Sequence, residues 1–66
     1  MTMTERSAEL AAQVRGLVRG GPVTTRALAM ACGCSLPTIR RVLETMEQDG
    51  ELSREGRQPA RWCLRG

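Results

Sequence analysis

Glycine and proline interrupt this 66-residue chain at three places, and the segments between them have the lengths of short helices. Gly20-Gly21-Pro22 follows the first segment, Gly33 follows the second, and Gly50 follows the third. Glycine ends helices because it adopts the left-handed backbone conformation, and proline cannot continue a helix. A chain of this length forms one domain with one modest core. The length therefore predicts a single domain over residues 1–66. The glycines and the proline predict that it has three helices and a C-terminal segment of another kind.

The apolar residues of these segments repeat with the period of a helix, so each segment has one face suited to a core. We expect helices over about residues 4–19, 24–32 and 35–49. Ala27 and Ala29 are small enough to let a neighbouring helix approach the second one closely. The residues predicted to be buried are Leu10, Val14, Leu17 and Val18, then Leu28 with Ala31 or Cys32, and then Leu36, Ile39, Val42, Leu43 and Met46.

A residue with a side-chain hydroxyl stands at the expected start of each helix, where it can accept a hydrogen bond from a free backbone N–H. Pro37 fits the first turn of the third helix, because the N–H that proline lacks would have no partner there. Val23 is predicted to be a short extended link before the second helix. The expected capping residues are Thr4, Thr24 or Thr25, and Ser35.

A change of period after the third helix predicts two strands. Ala60, Trp62 and Leu64 alternate with arginine and cysteine, which is typical of a half-buried strand, and Trp62 is predicted to lie in the core. Leu52 belongs to an earlier, shorter strand, and a stretch of turn-forming residues joins the two. We therefore predict an α+β fold, mainly α, with three helices and a C-terminal two-stranded β-hairpin over about residues 51–65.

The residue types that are missing argue against an enzyme. The chain has no His, Lys, Tyr or Phe, and its ten basic residues are all Arg. The usual general bases and amine nucleophiles are therefore absent, as is any histidine ligand for a metal. A domain this small can hardly form the deep pocket that a carboxylate enzyme needs. The composition predicts a binding module without a metal or another cofactor.

The cysteines do not form a pattern with an evident chemical role. Cys32, Cys34 and Cys63 cannot all pair within one molecule, and their spacing is a poor match for a structural zinc site. They are predicted to be small side chains that fill the core. A thiol-based sensor that uses these cysteines is an open alternative.

Charge is segregated along the chain, which has a net charge of +3 and a pI of about 9.3. Residues 26–41 contain three arginines and no acidic residue, and residues 54–66 contain four arginines and one glutamate. Residues 44–51, between them, contain four acidic residues. Two basic patches on a basic chain favour an anionic partner.

The N-terminal residues and the apolar runs bear on where the protein works. The chain starts without a basic segment or an apolar stretch, so no secretory signal is expected. Its longest apolar run, Ala27–Cys32, is far shorter than a membrane-spanning helix. A cytoplasmic location is expected.

Four residues around the second interruption follow the helix-turn-helix pattern of a small residue, a turn glycine and two buried apolar positions: Ala29, Gly33, Ile39 and Val42. A hairpin with arginine at its tip follows this pair of helices. With these features the chain resembles the winged helix-turn-helix DNA-binding family over essentially its whole length. The stretch from Ser35 to Leu52 is similar to the recognition helix and first wing strand of bacterial regulators.

The end of the chain is similar to a narrower group. Trp62, Leu64, the following arginine and the final glycine resemble the ending of small FaeA-like pilus-operon regulators. In that family a lone winged helix modulates transcription, often beside a larger DNA-binding protein. The resemblance implies a bacterial transcriptional regulator.

The resemblance implies a sequence-specific DNA-binding surface with the third helix in the major groove and a basic wing on flanking DNA. Double-stranded DNA is the implied partner. A small monomer makes few phosphate contacts, so a homodimer or a larger DNA-binding partner protein is also expected. The implied DNA-binding residues are Thr24, Thr25 and Arg26 on the second helix, Ser35, Pro37, Thr38, Arg40, Arg41 and Glu44 on the third, and Arg57, Gln58 and Arg61 on the wing.

Two other interpretations remain. The acidic stretch 44–51 would suit a winged helix that contacts a protein instead of DNA. In addition, Pro59-x-x-Trp62 is similar to the wing of the Z-DNA-binding domains of RNA-editing deaminases. Those domains use an asparagine and a tyrosine on the recognition helix, where this chain has Arg40 and Glu44, and this difference argues against recognition of Z-DNA.

Overall fold

The structure is a computed structural model that describes residues 5–57 and 59–65. The expected capping residue Thr4 and the wing residue Gln58 lie outside the described residues. The three predicted helices and the hairpin are confirmed. In chain order the elements are α1 (Glu5–Val18), β1 (Val23–Thr24), α2 (Thr25–Cys32), α3 (Leu36–Gln48), β2 (Leu52–Glu55) and β3 (Arg61–Leu64).

Side-chain hydroxyls cap α2 and α3 as the sequence predicts. Of the two threonines proposed for α2, Thr24 is the cap, and its Oγ1 accepts a hydrogen bond from the backbone N–H of Ala27 at 3.1 Å. Ser35 Oγ accepts one from the N–H of Thr38 at 3.4 Å. Gly33 ends α2 with φ of 67°, a left-handed conformation that glycine adopts without steric cost. This residue makes the turn that sends α3 away from α2.

The three strands form one antiparallel sheet with β3 in the middle. β2 and β3 are the predicted hairpin, called the wing below. Val23, expected as an extended link, belongs instead to a third strand, β1, in which it lies opposite Trp62 while Thr24 lies opposite Arg61. A strand of two residues is too short to show the alternation that identifies strands in a sequence.

One core lies between the helices and the sheet. All three helices contribute to it, and the sheet adds Leu52 and Trp62, which are nearly inaccessible to solvent. Ala29 is buried as predicted, and Cys32 packs against the core while Ala31 is exposed. No helix in the described part of the chain has the length and apolar character to cross a membrane. The buried residues are Leu10, Ala11, Val14, Val18, Leu28, Ala29, Ile39, Val42, Leu43, Met46, Leu52 and Trp62.

Three leucines predicted to face the core are exposed: Leu17 at 39%, Leu36 at 43% and Leu64 at 41%. The buried stripe of α1 runs through Ala11 and Val14, so Leu17 lies at its edge. Leu36 and Leu64 occupy the ends of their elements. Leu36 is the first residue of α3 and Leu64 is the last of β3, so neighbours cover them on one side only.

Leu43 of α3 is buried and Leu36 is exposed, and we expect their replacement to change the free energy of unfolding by different amounts. Leu43→Ala removes a fully buried side chain and should lower the free energy of unfolding by about 2–5 kcal/mol. Leu36→Ala makes the same chemical change at an exposed site and should cost less than about 1 kcal/mol. Urea unfolding followed by fluorescence of Trp62, the one aromatic residue of the sequence, measures both changes. Equal losses would contradict this description of α3.

Candidate nucleic-acid interface

The outer face of α3 is exposed and polar, and one of its edges borders a groove beside the wing. Arg40 and Glu44 line this groove on the α3 side. Thr25 of α2 and three residues of the wing side complete it: Arg54, Ala60 and Trp62. Residues of α2, α3 and the wing therefore line the same groove.

The other edge of the outer face borders α1. Pro37, Thr38 and Arg41 line a second shallow cavity there together with Ser7 of α1. Arg40 and Arg41 are adjacent in the sequence, and because successive helix residues are about 100° apart they open toward different sides. These two arginines therefore place positive charge at both edges of the outer face of α3.

Trp62 forms the base of the groove and connects three elements. Its indole Nε1 donates a hydrogen bond to Thr25 Oγ1 at 2.8 Å, and only 2% of the residue is exposed. The predicted core position of Trp62 is confirmed. Because the Thr25 hydroxyl accepts this bond, its own proton stays free to be donated to a ligand in the groove.

Arg54, which the sequence did not single out, lies over the tryptophan. Its guanidinium carbon is 4.6 Å from the centre of the Trp62 ring, and its Nη2 is 3.3 Å from Oε1 of Glu47. The register of the hairpin explains the stacking, since Arg54 lies opposite Trp62 on the neighbouring strand. No sequence pattern reports this register, and so nothing marked Arg54 as part of the site.

The predicted residues at the helix starts have structural partners. Thr24 Oγ1 caps α2, and Ser35 Oγ caps α3 and lies 2.8 Å from Thr38 Oγ1. Arg26, in the first turn of α2, is exposed. Thr24 and Ser35 therefore secure the helix starts, and the contact of these residues and of Arg26 with DNA stays a prediction.

The wing tip presents two more arginines. Arg57 and Arg61 are exposed and line a shallow cavity with Glu55, Gly56 and Pro59. Arg61 also lies opposite Thr24 in the sheet, which brings the wing to the start of α2. This pairing places the base of the wing beside the start of α2.

Ion pairs neutralise half of the acidic stretch 44–51. Glu51 forms a two-pronged pair with Arg15, with Nε–Oε1 and Nη2–Oε2 distances of 3.0 and 3.1 Å, and Glu47 pairs with Arg54. Within residues 5–57 and 59–65 the predicted arginines of the site have no ion pair or side-chain hydrogen bond: Arg26, Arg40, Arg41, Arg57 and Arg61. The two ion pairs therefore use Arg15 and Arg54 and leave the predicted arginines of the site without an internal partner.

The cysteines are free thiols of intermediate burial, in keeping with a packing role. Cys32 and Cys34 pack against the core, and the Cys63 thiol donates to the backbone oxygen of Ser53 at 3.6 Å. Burial, followed by the nearby Cys34, raises the pKa of the Cys32 thiol. Among the residues that the structure describes, no three metal-ligating side chains come together.

No protein-family model matches the sequence, and no curated protein matches it. Among solved structures, the chain is similar to the Zalpha domain of PKZ from Carassius auratus, a structure of that domain in complex with Z-DNA. The likeness covers 91% of this chain and 98% of that one, with a TM-score of 0.84 and 16% identity. At this identity the likeness shows the fold, which is a winged helix. The resemblance to FaeA-like regulators stays a prediction.

We expect the bond between Trp62 and Thr25 to stabilise the domain. Thr25→Val keeps the branched shape but leaves the buried indole N–H without its acceptor, which should lower the free energy of unfolding by about 1–3 kcal/mol. Thr25→Ser retains the hydroxyl and should recover most of that loss. Urea unfolding followed by tryptophan fluorescence measures both variants. A valine variant as stable as the serine variant would show that the bond contributes nothing.

The raised pKa of Cys32 predicts that stability falls at alkaline pH. Above the ordinary pKa of a cysteine thiol, 9.0, the unfolded chain releases this proton while the folded chain retains it. The unfolded state then binds fewer protons, so the free energy of unfolding decreases as pH rises. Cys32→Ala should reduce this slope in urea unfolding under reducing conditions. If the free energy of unfolding of Cys32→Ala fell with pH as steeply as that of the wild type, another group would be responsible for the pH dependence.

Proposed function

We propose that this domain binds double-stranded DNA through α3 and the wing. The observation that carries the proposal is a set of arginines that have no internal partner among the described residues: Arg40 beside the groove, Arg41 on the other edge of α3, and Arg57 and Arg61 at the wing tip. Guanidinium groups without internal partners can replace counterions on DNA phosphates, and this exchange supplies most of the affinity of DNA-binding domains. The proposal describes a binding module without a catalytic role.

In this proposal α3 enters the major groove, whose width admits a helix. Arg40 and Arg41 then face base edges and the phosphates beside them, and either one suits a guanine, which offers two acceptors to a guanidinium. Arg57 and Arg61 on the wing reach flanking phosphates. Such a domain serves sequence-specific control of transcription.

The size of the surface sets a limit on affinity. The described residues have a radius of gyration of 10.6 Å, and the proposed face offers about five phosphate contacts. That number corresponds to a salt slope of roughly −4.5 and to weak binding at physiological salt. We therefore propose that the domain works as a homodimer or beside a larger DNA-binding protein.

A second candidate is recognition of left-handed DNA. It is favoured by the likeness to the Zalpha domain solved with Z-DNA, which extends over nearly the whole of both chains. Arg40 and Glu44 stand where the related Z-DNA-binding domains have asparagine and tyrosine, and a carboxylate is a poor neighbour for closely spaced phosphates. For this reason the right-handed duplex is the first proposal and Z-DNA is the second.

The remaining alternative, a protein partner on the acidic stretch 44–51, has less support. Glu47 and Glu51 are paired within the domain, so of the four acidic residues of this stretch Glu44 and Asp49 are the two without an ion pair among the described residues. The stretch 44–51 therefore offers a protein partner less unpaired negative charge than its sequence suggests.

Replacement of two arginines tests the proposal. Arg40→Ala/Arg41→Ala should weaken binding to a right-handed duplex and reduce the salt slope by about 2, because each arginine contributes about one phosphate contact. Fluorescence anisotropy of a labelled duplex over a series of salt concentrations gives both quantities. An alternating dC–dG duplex held in the Z form by cytosine bromination, measured in parallel, compares the two candidates.

The matched control is Arg19→Ala/Arg65→Ala. Arg19 and Arg65 are exposed and form no ion pair in the described structure, and neither one lines the groove or the wing-tip cavity. This variant changes the net charge by the same amount but should retain most of the affinity and slope. Equal losses in both variants would mean that only net charge matters, and unimpaired binding by the first variant would exclude α3 as the DNA-binding element.

A further inference from the structure

Glu44 is an uncompensated carboxylate in the middle of a basic surface. It is exposed and lines the groove together with Arg40 and Arg54. Arg40 and Arg41 precede it by four and three residues, the spacings at which helix side chains are neighbours. Even so, no ion pair or side-chain hydrogen bond involves Glu44 within residues 5–57 and 59–65.

Glu47, on the same flank of α3, differs in this respect. Its Oε1 is 3.3 Å from Nη2 of Arg54, so its charge is compensated within the domain. Two carboxylates of one helix therefore lie near the same groove, and one of them is paired while the other is open to a ligand. A surface that only bound phosphates would gain affinity without the open one, because a carboxylate repels phosphate.

The bases differ in the hydrogen-bond donors that they offer to an unpaired carboxylate. An ionised carboxylate accepts hydrogen bonds and donates none. In the major groove, cytosine presents the N4 amino donor alone, adenine pairs its donor with the N7 acceptor, and guanine and thymine present acceptors. A carboxylate therefore favours cytosine and disfavours the other three bases.

We propose that Glu44 is a specificity-determining residue that accepts a hydrogen bond from the N4 amino group of a cytosine. This inference rests on the proposed function and adds the base that the surface selects. Arg40 lies one helical turn earlier beside the same groove and carries the donors that suit a guanine. Arg40 and Glu44 therefore suit different base pairs, with a guanine for Arg40 at one position and a cytosine for Glu44 at a neighbouring position.

The test is selection of bound duplexes from a pool of random sequence at low salt. The wild-type chain should prefer cytosine at one position by roughly fivefold or more, the lower end of what one good base contact supplies. Glu44→Ala should lose this preference. Glu44→Gln should shift it toward adenine, since an amide both donates and accepts and so matches the adenine edge.

Glu47→Gln is the matched control. Like Glu44→Ala it removes one negative charge from α3, and both variants should bind random-sequence DNA more tightly than the wild type does. Only the Glu44 variants should change the base preference. Circular dichroism of each variant shows that the helices are intact.

The outcomes separate this inference from the proposed function. The same cytosine preference in Glu44→Ala as in the wild type, or its loss in Glu47→Gln as well, overturns the role of Glu44 and leaves DNA binding intact. If the wild type binds DNA with the expected salt slope but shows no base preference, the role of Glu44 is also overturned and DNA binding is left intact. Failure of the wild type to bind any right-handed duplex overturns the proposed function and this inference with it.

Discussion

Trp62 in the middle strand is the contact on which the rest of the structure depends. Its backbone pairs with Val23 on one side and faces Arg54 on the other, so this residue holds the three strands in register. Its ring fills the core, and its N–H bond to Thr25 fixes the wing to the start of α2. A domain with no other aromatic residue has few alternatives for this contact. Without it, the wing would be an isolated hairpin, which is at best marginally stable in water.

The same contact organises the charges of the surface. Arg54 stacks on Trp62 and pairs with Glu47. A separate pair, Arg15 with Glu51, joins α1 to the residue before β2. These pairs neutralise acidic residues that otherwise would oppose an anionic ligand. The arginines of α3 and the wing tip are left uncompensated. The same arrangement of elements thus packs the core and leaves unpaired arginines on α3 and the wing tip.

Much of the fold could be predicted from the sequence because local chemistry determines it. Glycine and proline set the ends of the helices, and Gly33 has the left-handed conformation that its place between α2 and α3 requires. The predictions that were wrong concern ends and edges. Leu36 and Leu64 satisfy the period of their elements, yet burial depends on what packs over the end of an element, which periodicity does not report. The strand at Val23 exists because β3 lies beside it, a long-range pairing.

The candidate site divides in the same way. Arg40 and Arg41 could be predicted, since any helix that buries Ile39 and Val42 exposes both of them. The groove, the stacking of Arg54 and the pairing of Glu47 could not, because each depends on the register of two distant segments.

The central claim is that α3 and the wing form the DNA-binding surface, and an NMR titration of the isotope-labelled chain with duplex DNA tests it most directly. We expect the backbone amides of the non-proline residues in 24–26, 35–44 and 57–61 to shift at low salt, and these shifts should fade as salt increases because the contacts are with phosphates. Shifts confined to the exposed face of α1, or none at low salt, would contradict it.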